Sequence, residues 1–227
     1  MSSQPRPTLL PLPVIHLPFL ERLKTKHIIL ASGSPRRKNI IESLGLQISI
    51  QPSRFAENLS KDAFATPQEY VAATAKAKAQ DVYDTIKKSR AVAPDLVIGA
   101  DTIVVLDGTI LEKPHTAKVA KTMLSDLSGR SHQVFTALSF LCKRQDGVTR
   151  SHEVVEETIV NFNAISDADL DAYIATGEPL DKAGGYGYQG LASFFITSIN
   201  GDYWNVVGFP TCRFYNELLA LIKQGEL

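Results

Sequence analysis

The stretch HIILASGSPRRKNIIESLG, residues 27–45, changes character in its middle. Residues 27–32 form a short apolar run, which predicts a buried β-strand. Ser34 is a suitable N-cap and Pro35 suits the first helical position, so we expect a helix to begin there. We expect Gly45 to end this helix. A buried strand that leads directly into a helix is typical of an α/β fold.

Apolar periodicity on both sides of this stretch predicts the other elements. Residues 67–89 have apolar side chains at helical spacing and predict a long helix, with Lys78 at the border of the apolar face. Residues 96–106 predict a strand interrupted at 99–102, and Asp107-Gly108 is a hairpin signal. The remaining predictions are a helix from Thr116 to Gly129, strands over 134–142 and 154–162, a helix over 167–176, a hairpin of strands 194–199 and 203–207, and a closing helix over 210–223. This mixture predicts a mixed, twisted sheet flanked by helices.

Bulk composition excludes several classes of protein. The chain has 227 residues, with 24 Lys and Arg against 24 Asp and Glu. Without a basic excess it is a poor candidate for a nucleic-acid partner. Cys142 and Cys212 are far apart, which argues against a disulfide scaffold and fits a reducing compartment, here the cytoplasm. No apolar run reaches membrane-spanning length, so we expect no membrane partner.

The N-terminal residues differ from the rest of the chain. Residues 1–24 are rich in Pro and Leu and carry little basic charge. They are interpreted as a flexible arm rather than a signal or transit peptide. We therefore divide the chain into an arm at 1–24 and one domain at 25–227.

The turn after the first predicted strand is a candidate phosphate site. Free N–H groups at a helix N-terminus attract anions, and the hydroxyls of Ser32 and Ser34 can donate. Arg36 and Arg37 can bind phosphate oxygens in a fork. The alternative is a capped helix with a solvated basic first turn. Basic residues at this end oppose the helix dipole, however, and a bound anion would offset that cost.

Asp101 lies inside an apolar strand. A carboxylate in that position is costly unless it is paired or binds a metal, so it is a candidate metal ligand or base. A structural salt bridge is the alternative. Glu57 could supply a second carboxylate, while Lys78 and Lys113 could supply cations for a triphosphate.

The segment DKAGGYGYQG, residues 181–190, is glycine-rich. Glycine allows a backbone to approach a ligand closely, and an amide such as Gln189 can pair with the edge of a base. On composition alone, an ordinary glycine-rich connection is the favoured interpretation.

Taken together, the motifs resemble one family. LASGSPRRKNIIESLG, IGADTIVV with the following LEKP, LSGRSHQVFTA, EPLDKAGGYGYQG and INGDYWNVVGFP occur in the order found in the Maf family of nucleotide pyrophosphatases. The resemblance covers roughly residues 27–222. Each motif alone is weak, whereas the ordered set is highly specific.

The resemblance implies a curved mixed sheet with helices, two lobes around a deep cleft, and a relation to the inosine triphosphate pyrophosphatases. It implies hydrolysis between the α- and β-phosphates with a divalent cation, Mg²⁺ or Mn²⁺, and a homodimer. Asp101 matches the proposed proton acceptor of the family. The matching polar cleft positions are Ser32, Arg37, Glu57, Lys78 and Lys113.

The resemblance also indicates a substrate. Arg36, Thr102 and Gln189 match the dTTP/UTP branch of the family rather than the 7-methyl-GTP branch, and would select the base. The full set of predicted substrate-binding residues is Ser32, Ser34, Arg36, Arg37, Thr102, Asp181 and Gln189. Asp101, Glu57, Lys78 and Lys113 are the predicted catalytic residues, with Asp101 and Glu57 also as metal ligands.

Two departures from the family pattern leave alternatives open. Ala56 replaces an acidic residue beside Glu57, which removes one possible metal ligand, and Gly185 stands where the family has Ala. The alternatives to a dTTP/UTP pyrophosphatase are the same reaction on 7-methyl-GTP or ITP, and a nucleotide-binding regulator of cell division without turnover.

Overall fold

The computed structural model describes residue 15 and residues 17–89, 92–143 and 148–227. Within these residues the strands are β1 (Ile28–Leu30), β2 (Ser49–Ile50), β3 (Leu96–Leu106), β4 (Thr109–Leu111), β5 (Ser131–Lys143), β6 (Thr149–Phe162) and β7 (Ile196–Gly201). The helices are α1 (Pro35–Ser43), α2 (Pro67–Lys88), α3 (Ala117–Leu127), α4 (Asp167–Ala175), α5 (Tyr203–Val207) and α6 (Thr211–Lys223). Short 3₁₀ turns lie at Pro18–Leu23, Lys61–Ala63, Glu178–Asp181, Ala183–Gly185 and Leu191–Phe195.

The strands form one mixed sheet in the order β2-β1-β3-β5-β6-β7, with β4 paired to β3. The β1 strand pairs in parallel with β2 and β3, and the other pairings are antiparallel. The predicted mixed sheet flanked by helices is therefore confirmed. None of the helices in the described residues has the length and apolar character needed to cross a bilayer.

One edge of β3 has a gap that places the site. One edge of this strand pairs with β5. The other edge pairs with β1 as far as Ile98 and with β4 from Val104 onward. Within the described residues, positions 99–103 therefore have no strand partner on that edge. Asp101 and Thr102 lie at this gap, where side chains from other elements can reach the strand.

Alternation along β3 sends Asp101 and Thr102 to opposite faces of the sheet. Ile103 packs with Val71 and Ala75 of α2 on one face. Ile98 and Ala100 pack with α1 and α6 on the other face. A Cβ at Gly99 would lie 2.1 Å from the Ala75 carbonyl oxygen, so only glycine allows α2 to pack this closely. The close packing brings Lys78 of α2 to Asp101.

Two apolar clusters correspond to the two expected lobes. One joins α1 and α6 to the sheet, with Ile41 and Phe214 fully buried. The other joins α3 and α4 to the far part of the sheet, with Leu124 and Leu170 buried. The cavity described below is lined by the N-terminus of α1 and by the glycine-rich segment that packs on the second cluster.

Most predicted elements are present, with two differences in the strands. The first is that β3 is continuous through 99–102 rather than interrupted there. The second is that the predicted hairpin of 194–199 and 203–207 is wrong, because Tyr203–Val207 is a helix. Asp202 caps this helix by accepting a hydrogen bond from the Trp204 N–H at 2.8 Å. The cap and the buried amide of Asn205 override the strand preference of this β-branched and aromatic segment.

Part of the predicted N-terminal arm is packed against the domain. Pro18–Leu23 forms a 3₁₀ turn whose Leu20 and Leu23 are buried in the cluster with α6. Burial removes the apolar surface of these side chains from water, which favours the packed turn over a solvated segment. The division of the chain at residue 25 stays a prediction. Residues 1–14 and 16 of the predicted arm lie outside the described residues.

Candidate active site

A cavity of about 1090 Å³ opens beside the gap in the edge of β3. All eleven predicted site residues line it, although they come from six separate stretches of the chain. They are Ser32, Ser34, Arg36, Arg37, Glu57, Lys78, Asp101, Thr102, Lys113, Asp181 and Gln189. This cavity corresponds to the expected deep cleft.

Lys78 joins the two predicted catalytic carboxylates. Its Nζ donates to Asp101 Oδ1 at 2.7 Å and contacts Glu57 Oε2 at 3.0 Å. The side chains of Lys78 and Asp101 are each 11% exposed, whereas Glu57 is about half exposed. The paired Asp101 thus satisfies the condition for a buried carboxylate, and the salt bridge itself lines the cavity.

Burial gives Asp101 the character of a proton acceptor. Desolvation raises the pKa of Asp101, and the charges of Lys78 and Arg37 oppose that rise. A carboxylate with a raised pKa accepts a proton from water more readily than an ordinary one. Because Lys78 also contacts Asp101, the orientation of this carboxylate is fixed without a ligand.

Asp101 and Glu57 fit a divalent cation that takes few protein ligands, such as Mg²⁺. No group of three or more His, Cys, Asp or Glu side chains in the described part of the chain could hold a metal alone. Mg²⁺ commonly takes one or two carboxylates and completes its shell with phosphate oxygens and water. Asp101 and Glu57 supply that number of carboxylates. Glu57 is presented to the cavity by a left-handed backbone with φ 50°, an uncommon conformation for Glu.

The turn before α1 has the predicted N-terminal cap. The Ser34 side chain accepts from the Arg37 N–H, and Ser32 Oγ accepts from the Ser34 N–H at 3.3 Å. Arg36 is exposed and lines the cavity. The hydroxyl hydrogens of Ser32 and Ser34 and the Arg36 guanidinium are therefore available to an anion at this helix N-terminus.

The Arg37 guanidinium, predicted to bind phosphate in a fork, makes most of its contacts within the chain. Its Nε donates to Gly208 O at 2.9 Å. Its Nη1 donates to Ser32 Oγ at 3.1 Å and Ala100 O at 2.9 Å, and its Nη2 donates to Thr102 Oγ1 at 3.0 Å. Four of the five N–H donors of the guanidinium are thus occupied within the chain, one from Nε, two from Nη1 and one from Nη2. A single donor remains, which is too few for a two-pronged grip on phosphate.

Residues 178–191, which include the glycine-rich segment at 181–190, form the opposite wall of the cavity, called the glycine-rich wall below. Glu178 is buried, and it accepts from the Tyr173 hydroxyl at 3.2 Å and the Leu191 N–H at 3.2 Å. A Cβ at Gly190 would lie 2.0 Å from Glu178 Oε1. Gln189 Oε1 is buried without a hydrogen-bond partner. This segment therefore contains a buried acceptor that has no partner in the described part of the chain, on a side chain that lines the cavity.

Several residues at the site were not predicted from sequence. Lys182 lines the cavity, and its Nζ donates to Glu178 O at 2.8 Å and Asp181 Oδ1 at 2.6 Å. Its place beside Asp181 was the available signal. Tyr186 also lines the cavity, and its hydroxyl lies 2.7 Å from His132 Nε2. Nothing near His132 in the sequence indicates this contact.

Comparison with known proteins identifies the same family as the ordered motifs do. A sequence model of the Maf family, described as "Maf-like protein", matches residues 27–221. The chain belongs to the Maf family. The match begins just before β1 and ends within α6, so it includes every residue of the candidate site.

Curated Maf relatives include enzymes of known name. A dTTP/UTP pyrophosphatase of Schizosaccharomyces pombe is 42% identical over 90% of this chain and 88% of its own length. One of Bacillus cytotoxicus is 42% identical over 85% of this chain and 94% of its own length. A human protein named a probable bifunctional dTTP/UTP pyrophosphatase/methyltransferase is 46% identical over 90% of this chain. The match spans only 33% of the human protein.

Among solved structures, the Ham1 protein of Staphylococcus aureus aligns with a TM-score of 0.41 and 12% identity. The alignment covers 88% of this chain and 100% of that one.

Proposed function

We propose that this Maf-family chain is a nucleoside triphosphate pyrophosphatase that hydrolyses dTTP and UTP to the monophosphate and pyrophosphate. One observation carries the proposal: a buried carboxylate with a raised pKa, Asp101, shares a cavity with the cations and hydroxyls that a triphosphate requires. Relatives that this chain matches over most of their length are named dTTP/UTP pyrophosphatases, which supports the choice of substrate.

The proposed reaction begins with water. Asp101 accepts a proton from a water molecule as the water oxygen attacks the α-phosphorus. A new P–O bond forms, the bond between the α-phosphorus and the bridging oxygen breaks, and pyrophosphate leaves with the electron pair of that bond. Lys78 holds Asp101 in position through the 2.7 Å contact, and its charge offsets negative charge near the reacting centre.

Phosphate oxygens are held by the exposed cations and the N-terminus of α1. Arg36 and Lys113 are exposed and line the cavity, and Ser32 and Ser34 lie at the first turn. A Mg²⁺ or Mn²⁺ ion bound by Asp101 and Glu57 would neutralise the charge of the phosphates. Arg37 contributes mainly by holding Ser32 and the backbone of β3 in place.

Gln189 provides the basis for selecting the base. Its buried Oε1 lacks a hydrogen-bond partner, and a buried acceptor of this kind favours a ligand that donates. Uracil and thymine carry a hydrogen on N3, whereas cytosine has an acceptor there. The unpaired oxygen can accept from this N3–H, whereas the preference over CTP rests on the named relatives, since cytosine can donate from its amino group. We place Arg36 with Gln189 in this role, and keep Asp181 as a substrate-binding residue at the same wall.

The cellular location, the oligomeric state and the partners of the chain remain predictions. We propose a cytoplasmic homodimer that has no nucleic-acid or membrane partner. Cys142 and Cys212 are both free, which fits a reducing compartment. The predicted domain of residues 25–227 would then act as one catalytic unit, extended at its N-terminus by the packed turn at Pro18–Leu23.

The test is pyrophosphate release by the purified chain with Mg²⁺ or Mn²⁺ across dTTP, UTP, CTP, ITP, GTP and 7-methyl-GTP. The proposal expects release from dTTP and UTP well above the others. Release from 7-methyl-GTP or ITP instead would keep the reaction and overturn the base selection. Nucleotide binding without release from any of them would favour a regulator without turnover.

A further inference from the structure

A chain of hydrogen bonds runs from the cavity into the protein behind it. Arg37 Nη2 donates to Thr102 Oγ1 at 3.0 Å. Thr102 Oγ1 lies 2.9 Å from Thr136 Oγ1, and Thr136 donates to the Asn205 backbone carbonyl at 3.0 Å. Thr102 on β3 and Thr136 on β5 are directly paired across the two strands. These contacts join a cavity residue to α5, which does not follow from any single motif.

The direction of each bond in this chain is fixed. A carbonyl can only accept, so the single hydrogen of the Thr136 hydroxyl is committed to Asn205. Thr136 must therefore accept from Thr102, whose only hydrogen is used in turn. Each hydroxyl accepts from the side of the Arg37 cation and donates away from it, an arrangement in which the bonds strengthen one another.

The far end of the chain is anchored independently. Asn205 is fully buried, and its side-chain amide donates to Val134 O and to Thr158 Oγ1, both at 3.0 Å. Thr158 donates to the Asp202 carbonyl at 3.0 Å. Both hydrogens of the Asn205 amide are thus used, and the carbonyl that ends the chain is held by β5 and β6.

This arrangement leaves Thr102 without a proton to offer a ligand. Its hydroxyl hydrogen goes to Thr136, and one of its lone pairs is taken by Arg37. The planar guanidinium of Arg37, with four donors committed, has one remaining N–H whose direction is set by the other four. Thr102 supplies one of the four contacts that set this direction, so loss of its hydroxyl would weaken the orientation of the one donor that Arg37 retains.

We propose that Thr136 and Asn205 are positioning residues for the reaction, and that Thr102 acts by orienting Arg37 rather than by contact with the base. The proposal rests on the pyrophosphatase function proposed above, and it replaces base selection as the role of Thr102. Thr136 is fully buried and is absent from the residues that line the cavity, so its hydroxyl can affect turnover only through its partners, Thr102 and the Asn205 carbonyl.

The experiment uses Thr136→Val, which has the same shape without the hydroxyl, and Thr136→Ser, which keeps the hydroxyl. Each is made in the wild-type chain and in an Arg37→Lys background, and kcat and KM are measured with dTTP, UTP and CTP. We expect Thr136→Val to lower kcat/KM about tenfold for all three nucleotides, the effect of losing about one hydrogen bond. Thr136→Ser should return to within about twofold of wild type. In the Arg37→Lys background, which lacks the planar guanidinium that Thr102 orients, Thr136→Val should have little further effect.

Wild-type kcat/KM in a folded Thr136→Val chain would overturn the proposal, as would an equal loss in the Arg37→Lys background. A change in the ratio of dTTP to CTP turnover would return Thr102 to base selection. If Thr136→Val does not fold, Thr102→Val and Thr102→Ser give the same comparison. Absence of turnover in the wild-type chain would instead contradict the proposed function, so the two failures are distinguishable.

Discussion

The two walls of the cavity are built differently. In the strand wall, which comprises α1, α2, β3 and β5 where they line or support the cavity, Lys78 pairs with Asp101 and four donors of Arg37 are occupied. In the glycine-rich wall, residues 178–191, the backbone follows 3₁₀ turns with left-handed glycines at 184 and 185. There the Oε1 of Gln189 is buried and unpaired.

This difference separates two tasks. Charged groups that act on a reacting phosphate are most effective when they are already oriented, and regular elements with saturated hydrogen bonds provide that orientation. A group that discriminates between bases is most effective when it stays unsatisfied until the correct ligand arrives, because the wrong ligand leaves it unpaired. We therefore propose that the strand wall carries out the chemistry and that the glycine-rich wall selects the base.

The largest expected effect tests the strand wall. Asp101→Asn removes the proton acceptor while it keeps the size of the side chain, so kcat should fall by about a hundredfold or more. The loss should be similar for dTTP, UTP and CTP, because Asp101 does not contact the base. Steady-state pyrophosphate release measures it, with Asp126→Asn on the exposed face of α3 as the matched control. Wild-type turnover in Asp101→Asn would remove Asp101 from the role of base.

The second prediction concerns the joint between the walls, where His132 of β5 meets Tyr186 of the glycine-rich wall at 2.7 Å. Burial lowers the pKa of His132 to about 4, from an ordinary value near 6.5. In the unfolded chain this group takes up a proton below pH 6.5, while in the folded chain it stays neutral down to about pH 4. Its contribution to stability is therefore complete above pH 6.5 and is lost as the pH falls toward 4, by about 3 kcal/mol.

Denaturant unfolding of the wild-type chain and of His132→Gln at a series of pH values measures this contribution. The free energy of unfolding of the wild type should fall more steeply between pH 6.5 and pH 4 than that of the variant. If the free energy of unfolding depends on pH in the same way for both chains, His132 does not make this contribution to stability. The kcat of His132→Gln at pH 7.5 should stay close to the wild-type value, since His132 is absent from the residues that line the cavity.

The smallest effect sharpens the role of the glycine-rich wall. Gln189→Met keeps the length of the side chain and removes the unpaired acceptor, so kcat/KM for dTTP and UTP should fall about tenfold. Turnover of CTP should fall less, and the preference over CTP should shrink. Gln133→Met is the matched control, because Gln133 bonds to Glu157 on the sheet and does not line the cavity. Equal losses on all nucleotides would move base selection away from Gln189.

Local signals were enough to predict much of this molecule. The strand, turn and helix over 27–45 follow from an apolar run, an N-cap at Ser34 and Pro35, and each is present. The border position of Lys78 on α2 likewise predicted a side chain that is now found buried against Asp101. Resemblance to the family named the candidate site residues, and the fold gathers them at the gap in the edge of β3, which α1 and α2 approach.

What the sequence did not predict depends on contacts between distant residues. The segment 203–207 has strand-like composition, and its helix is stabilised by the Asp202 cap and by Asn205 contacts to β5 and β6. Two of the four occupied donors of Arg37 bond to Gly208, which is 171 positions away, and to Thr102, which is 65 positions away. No local pattern distinguishes such an arginine from one that is free to bind phosphate.

Hydrolysis of UTP in ¹⁸O-labelled water tests whether water attacks the α-phosphorus. Mass spectrometry of the products locates the bond that forms. Attack at the α-phosphorus predicts one ¹⁸O atom in UMP and none in the pyrophosphate. Label in the pyrophosphate, or release of labelled orthophosphate, would contradict it.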